Sequence, residues 1–134
     1  MDKAASDERL KNDDTAGVDM SPLLGAWTNS NSQTEWIKSF TLGKKGSVFT
    51  IRVRGAREPF DWGEVEAVPY MDNIGELAFP AAYDLEAVHS LLAANTNKGL
   101  IIIAAFNRFK KGGGRSNFLC REFYYREIDQ NERR

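Results

Sequence analysis

The chain holds one cysteine, Cys120, and one histidine, His89, in 134 residues. A lone cysteine excludes an internal disulfide and fits a reducing compartment. So few soft ligands leave no closely spaced His/Cys/Asp/Glu set of the kind a structural or catalytic metal takes. There is no Gly-x-Ser-x-Gly, no Walker loop and no dinucleotide fingerprint, which argues against a metalloenzyme or a nucleotide hydrolase. The glycine-rich "KKGGGR" joins two strand-like runs instead of opening a helix, so it reads as a hairpin turn. No metal and no cofactor are expected.

Long apolar runs are also missing. No stretch is long enough to span a bilayer, and "MDKAASDERLKNDDTAGVDM" contains no signal-peptide core, so a cytoplasmic protein without a membrane partner is expected. Charge of one sign is scarce: the net charge is −1, where a general nucleic-acid binder is strongly basic. Residues 1–20 carry six acids against three bases, a balance of −3, and the remaining 15 bases and 13 acids give +2. The polar, acidic start reads as a flexible leader over 1–20, the domain as 21–130, and 131–134 as a charged tail.

From Ser21 onward, runs of β-favouring residues alternate with turn signals. Candidate strands are Leu23–Asn31, Glu35–Leu42, Ser47–Arg54, Asp61–Tyr70, Gly75–Tyr83, Ala87–Ala94, Leu100–Phe109 and Ser116–Ile128. "AYDLEAVHSLLAAN" also places Leu85, Val88, Leu92 and Ala93 near helical spacing, leaving a helix there as an alternative. Short connections between eight runs predict an all-β, single antiparallel up-and-down β-barrel of about eight strands.

Alternation in "SVFTIRVRG" puts Phe49, Ile51 and Val53 on a core face. In "TEWIKSFTLG" the same rule groups Trp36, Lys38, Phe40 and Leu42, which turns a lysine inward between two aromatic rings. Such a lysine loses hydration and would anchor a ligand's carboxylate, enolate or phenolate, or serve as a base if neutral. The alternative is a lysine that lays its methylenes over the rings and carries its ammonium to the rim. In "DWGEVEA" Trp62 and Glu64 share a face, either as pocket wall and polar anchor or as outer residues beside a glycine bulge. In "NFLCREFYYRE" Phe118, Cys120, Glu122 and Tyr124 oppose Leu119, Arg121, Phe123 and Tyr125, and a one-residue slip exchanges the faces. His89 and Cys120 read as structural residues.

"LLGAWTN" opens the folded part with Gly-x-Trp on the first strand. This resembles the calycin group, the lipocalin and avidin-like barrels, where that tryptophan plugs one end and an arginine from a late strand packs over it. Trp27 matches the tryptophan, and Arg121, with Arg126 as the alternative, matches the arginine. With "DWGEVEA" and "GRSNFLCREFYYR", the chain is similar to small bacterial lipocalin-like proteins over most of residues 22–127. Members of that group often carry a cysteine pair around the turn before Asp-Trp-Gly. "GAREPFDWG" has none, so no disulfide and no extracellular setting carry over.

The resemblance implies a barrel with a pocket. The 15 aromatic residues suit a cavity for a hydrophobic, ring-containing molecule, and they suit a filled core equally. Trp36, Lys38, Phe40, Phe49, Trp62, Asn107, Tyr124 and Tyr125 are the candidate ligand-binding residues, with Trp27 and Arg121 closing the barrel. Three functions stand open. One is binding of a hydrophobic metabolite or biosynthetic intermediate. The second is a metal-free, cofactor-independent cyclase or isomerase of natural-product biosynthesis, with Lys38, Glu64 and Glu122 as catalytic groups; it rests on fold-level analogy. The third is protein–protein contact, as in a homodimer through an outer strand face.

Overall fold

A computed structural model describes residues 18–110 and 116–128. A short 3₁₀ turn, Ser21–Leu23, leads into nine strands: β1 Gly25–Asn29, β2 Ile37–Lys45, β3 Val48–Gly55, β4 Asp61–Glu66, β5 Tyr70–Met71, β6 Leu77–Asp84, β7 Val88–Asn97, β8 Leu100–Phe109 and β9 Phe118–Arg126. They form one antiparallel sheet in the order β4-β3-β2-β1-β9-β8-β7-β6-β5, curled as a half-barrel with the all-β, up-and-down architecture expected. No helix among the described residues is long and apolar enough to cross a membrane.

Nine strands replace eight because the run expected over Asp61–Tyr70 divides. Pro69 has no N–H to give a ladder, and the chain breaks there into β4 and the short β5. The helical alternative around His89 is not taken. Residues 88–97 pair with β8 throughout their length and with β6 along most of it, so the ladder satisfies their backbone on both sides. Lys98 (φ 52°) and Gly99 (φ 83°) make the two-residue turn between the Asn97↔Leu100 pair, the positive-φ geometry that matches strand twist.

Two residues at the end of the expected leader over 1–20 are engaged with the domain. Met20 is fully buried and belongs to the core, and the Asp19 carboxylate accepts the Ser21 N–H at 2.9 Å. Residues 1–17 and the tail at 131–134 lie outside the described residues.

One end of the barrel is closed by the pair anticipated in the Gly-x-Trp opening, with one correction. Trp27 is buried, and its Nε1–H donates to the Leu23 carbonyl at 2.9 Å. Arg126, directly across the β1–β9 ladder, covers its ring at 4.6 Å. The guanidinium donates to the Leu24 carbonyl at 2.7 Å and to the Pro22 carbonyl. Arg121 is the wrong partner: it lies on the outer face, over Phe123 at 5.3 Å. The β9 register sends Cys120, Glu122, Tyr124 and Arg126 inward and leaves Leu119, Arg121, Phe123 and Tyr125 exposed.

Around Trp27 and Phe40 the core is packed, and a depression of about 430 Å³ lies outside it between Leu23, Leu77 and Arg126. Trp27 stacks on Phe40 (6.4 Å between centroids, 7° between planes), and Phe40 meets Tyr124 edge-on at 5.1 Å. Leu42, Ile51, Leu92 and Ile101 close around them, each at most 2% exposed. Burying a side chain of this size stabilises the fold by about 1.5–3 kcal/mol relative to leaving it in water.

The sheet's two ends carry no ladder between β4 and β5. Tyr83 of β6 bridges this seam: its hydroxyl lies 2.8 Å from the Gly63 carbonyl of β4 and 3.0 Å from the Ile51 carbonyl of β3. The two outer halves differ. Over β3 and β4 the outside is charged, with Arg52, Arg54, Asp61, Glu64 and Glu66. Over β6–β9 an exposed row, Ala82, Leu91, Phe106 and Leu119, stands in register across four strands.

Candidate functional site

Two β-bulges decide which side chains reach the interior. In β2 the ladder to β3 passes from Ile37↔Gly55 to Ser39↔Arg54, leaving Lys38 as the extra residue. A bulge adds one unpaired residue and so breaks the alternation of faces across it. Here Ile37 stays buried and Lys38 is exposed, so the inward lysine expected from alternation is overturned. In β4 the ladder passes from Val53↔Gly63 to Arg54↔Asp61 and skips Trp62. Gly63 has φ 86°, and the Asp61 carboxylate accepts its N–H at 2.9 Å. Trp62 therefore turns inward and is buried, while Glu64 turns outward. Glu64 pairs with Lys45 at 2.5 Å and accepts the Thr50 hydroxyl at 3.1 Å, and Lys45 first, then Thr50, holds its carboxyl below the usual range.

At the end opposite Trp27, the bulged Trp62 meets Trp36 edge to face, with centroids 5.2 Å apart and planes at 74°. Tyr83 stands against the other side of Trp62 at 5.3 Å, and Phe118 and Phe109 stand against Trp36 at 5.2 and 6.3 Å. Gly55 makes room for this group. A Cβ there would lie 2.7 Å from the Trp62 Nε1 and 3.1 Å from the Arg57 and Pro59 carbonyls, so no larger residue fits without displacing the loop. That loop closes through Gly55 N–H to Phe60 carbonyl (2.8 Å) and Ala56 N–H to Trp36 carbonyl (2.8 Å).

A cavity of about 690 Å³ opens here, between the 57–62 segment and the 84–88 turn. Trp36, Trp62 and Phe109 give its aromatic wall, with Leu85 and Val88 opposite. The Trp36 Nε1 is buried without a hydrogen-bond acceptor, alone in this among the described side chains. Asp61 pairs with Arg52 and Asp84 with Lys110, while the His89 Nδ1 lies 3.0 Å from Asp84; hydrogen bonds from Arg52 and Lys110 are the chief cause that holds the two carboxyls below the usual range.

The other expected ligand-binding residues lie elsewhere. Phe40, Phe49 and Tyr124 are buried among the side chains of the core and line none of the cavities described. Tyr125 is on the outside. Asn107 is buried near a second depression of about 620 Å³; it accepts the Ser90 hydroxyl at 2.7 Å, and its amide lies 3.9 Å from the Cys120 sulfur. Burial raises the Cys120 pKa. Glu122 is part-buried and accepts the Thr34 hydroxyl at 2.8 Å. Lys38, Glu64 and Glu122 thus point to the outside, the outside and the interior, and form no shared catalytic constellation.

Sequence reasoning missed Phe109, Phe118 and Tyr83. Phe109 and Phe118 end one strand and begin the next, and their position at the open end was the available signal. It missed the buried Asn29 as well, whose amide donates to the Ile37 carbonyl at 3.0 Å and to the Tyr124 hydroxyl at 3.2 Å. No group of three or more His, Cys, Asp or Glu among the described residues is arranged to hold a metal ion. Comparison of the chain with family models, with curated proteins and with solved structures finds no match.

Proposed function

We propose that the protein binds one hydrophobic, ring-bearing small molecule in the cavity at the open end, against Trp36, Trp62 and Phe109. The observation that carries this reading is the cavity of about 690 Å³ itself, walled by Trp36, Trp62 and Phe109 with Leu85 and Val88. A concave wall of aromatic and aliphatic side chains is the usual composition of a small-molecule site. The calycin likeness belongs to the same proposal and draws its support from the Trp27–Arg126 closure at the opposite end. A cyclase or isomerase on this barrel has less support, since its three candidate groups are separated.

Titration with a panel of hydrophobic fluorescent ligands tests the reading. Saturable binding that Trp36→Leu weakens at least about tenfold, with unfolding still cooperative, supports it. Equal binding by both forms places the ligand elsewhere.

A homodimer through the outer face of β6–β9 is a second, separate proposal. Four strands at about 4.8 Å spacing, each with about seven residues at about 3.4 Å rise, span about 450 Å² in projection, and side-chain relief brings this toward the ~800 Å² per partner of a stable complex. Leu91, Phe106 and Leu119 are 51%, 55% and 58% exposed in that face, where the charged outside of β3 and β4 shows what a solvated face of this barrel looks like. The occupant we assign is a second copy, packed sheet to sheet.

A further inference from the structure

The outer face of β6–β9 also sets how a second copy sits on it, on the basis of the homodimer reading above. In the ladder, the row Ala82, Leu91, Phe106 and Leu119 has Asp84, His89 and Arg108 on its open-end side and Pro80, Ala93, Ala104 and Arg121 on the other. The second border is small and apolar until Arg121. That guanidinium is exposed, lies over Phe123 at 5.3 Å and forms no ion pair among the described residues. Asp84, at the opposite corner of the face, is exposed as well. Its contacts with Lys110 (2.8 Å) and His89 (3.0 Å) are both made by Oδ1, and a carboxylate has a second oxygen for a further donor.

A cation on an apolar contact face is costly to cover unless the partner brings an acceptor. A second copy of this face brings one. Asp84 on β6 and Arg121 on β9 are three strand spacings apart, and Asp84 lies four residues along the ladder from Pro80, which shares a row with Arg121. At about 4.8 Å per strand and about 3.4 Å per residue, the displacement is about 14 Å across the sheet and about 14 Å along it. The midpoint falls between Leu91 and Phe106, at the centre of the exposed row. A two-fold axis in the contact plane, through that midpoint and perpendicular to the Asp84–Arg121 line, exchanges the two corners. Because the two displacements are equal, the axis runs at about 45° to the strands and crosses the strands of the two copies at about 90°, one of the two ways sheets pack face to face. The same operation lowers Leu119 of the second copy between His89 and Arg108, onto the depression of about 620 Å³ that these two border with Leu91 and Phe106. We propose an orthogonal sheet-on-sheet homodimer in which Arg121 of each copy pairs with Asp84 of the other, on either side of a shared Leu91 and Phe106 centre.

Charge reversal in the full-length protein tests this by sedimentation equilibrium. Arg121→Glu sets like charges together at both corners of such a dimer, and so does Asp84→Arg. Each variant alone should dimerise at least about tenfold more weakly than the wild type. An equimolar mixture of the two variants restores opposite charges at both corners of a mixed dimer, and should recover the wild-type dissociation constant to within about threefold. The double variant Arg121→Glu/Asp84→Arg should recover it as well. Recovery on mixing also separates a contact between copies from a loss of folding, since two misfolded chains rescue nothing. A wild type that dimerises while the mixture stays as weak as the single variants overturns the orthogonal arrangement and leaves the homodimer. Recovery in the double variant alone means compensation within one chain and overturns it equally. A wild type that stays monomeric overturns the homodimer and this arrangement with it.

Discussion

The Tyr83 hydroxyl reaches across the gap in the sheet to the Gly63 and Ile51 carbonyls, at 2.8 and 3.0 Å. One proton shared between two acceptors thus joins β6 to β3 and β4 where no ladder does. Tyr83→Phe keeps the ring against Trp62 and removes the bridge. It should lower stability by about 1–3 kcal/mol, the cost of leaving buried carbonyls unpaired, read as a lower urea midpoint with unchanged slope.

The same hydroxyl sets a pH dependence. Burial pushes the Tyr83 pKa up to about 12, against an ordinary value near 10. A phenol harder to ionise in the folded state adds stability that is fully present below about pH 10 and is lost as pH rises toward 12. Alkaline unfolding of the wild type should steepen in that window. Tyr83→Phe should remove part of the slope, with Tyr124, which burial also raises, supplying the remainder.

Arg126 and Arg121 offer a paired test of the barrel's closed end. Arg126→Met strips two backbone carbonyls of their donor and uncovers the Trp27 ring, and should cost about 1–3 kcal/mol. Arg121→Met, on the outer face, should stay within about 0.5 kcal/mol. Equal losses in chemical denaturation would contradict the β9 register.

Much of the architecture was legible because alternation is strong where strands are regular. β3 and β8 fall within a residue of their expected bounds, and Phe49, Ile51 and Val53 share the core face that their spacing gives. The site was less legible because both of its tryptophans adjoin bulges. A bulge inserts one residue and inverts the assignment beyond it, which is how Lys38 left the interior and Trp62 parted from Glu64. Gly63 was a visible sign of the second bulge, whereas nothing in "WIKSF" announces the first. The last strand was symmetric in pattern, and only its pairing with β1 and β8 fixes Arg126 over Trp27. The border of the cavity came from loops, whose carboxylates no strand period brings together.

If the outer row of β6–β9 is a dimer face, a charge in its centre should dissolve it. Phe106→Arg should halve the mass seen by sedimentation equilibrium while leaving the far-UV spectrum unchanged. A wild type that sediments as a monomer at high concentration would remove the proposal.

Lys38→Met and Glu64→Gln should leave ligand affinity within about twofold, since both side chains point away from the cavity. Fluorescence titration checks this, and a tenfold loss for either would require the β2 or β4 bulge to be absent in solution.

The most direct measurement is a proton–nitrogen correlation spectrum of the three indole N–H groups during titration with the hydrophobic fluorescent ligand that binds most tightly. Trp36 and Trp62 lie at the cavity, while Trp27 lies at the opposite end, its N–H held by Leu23. Binding at the open end predicts saturable shifts of the Trp36 and Trp62 signals, with Trp27 unmoved. A ligand that shifts Trp27 alone, or that moves none of the three at saturating concentration, would contradict the site.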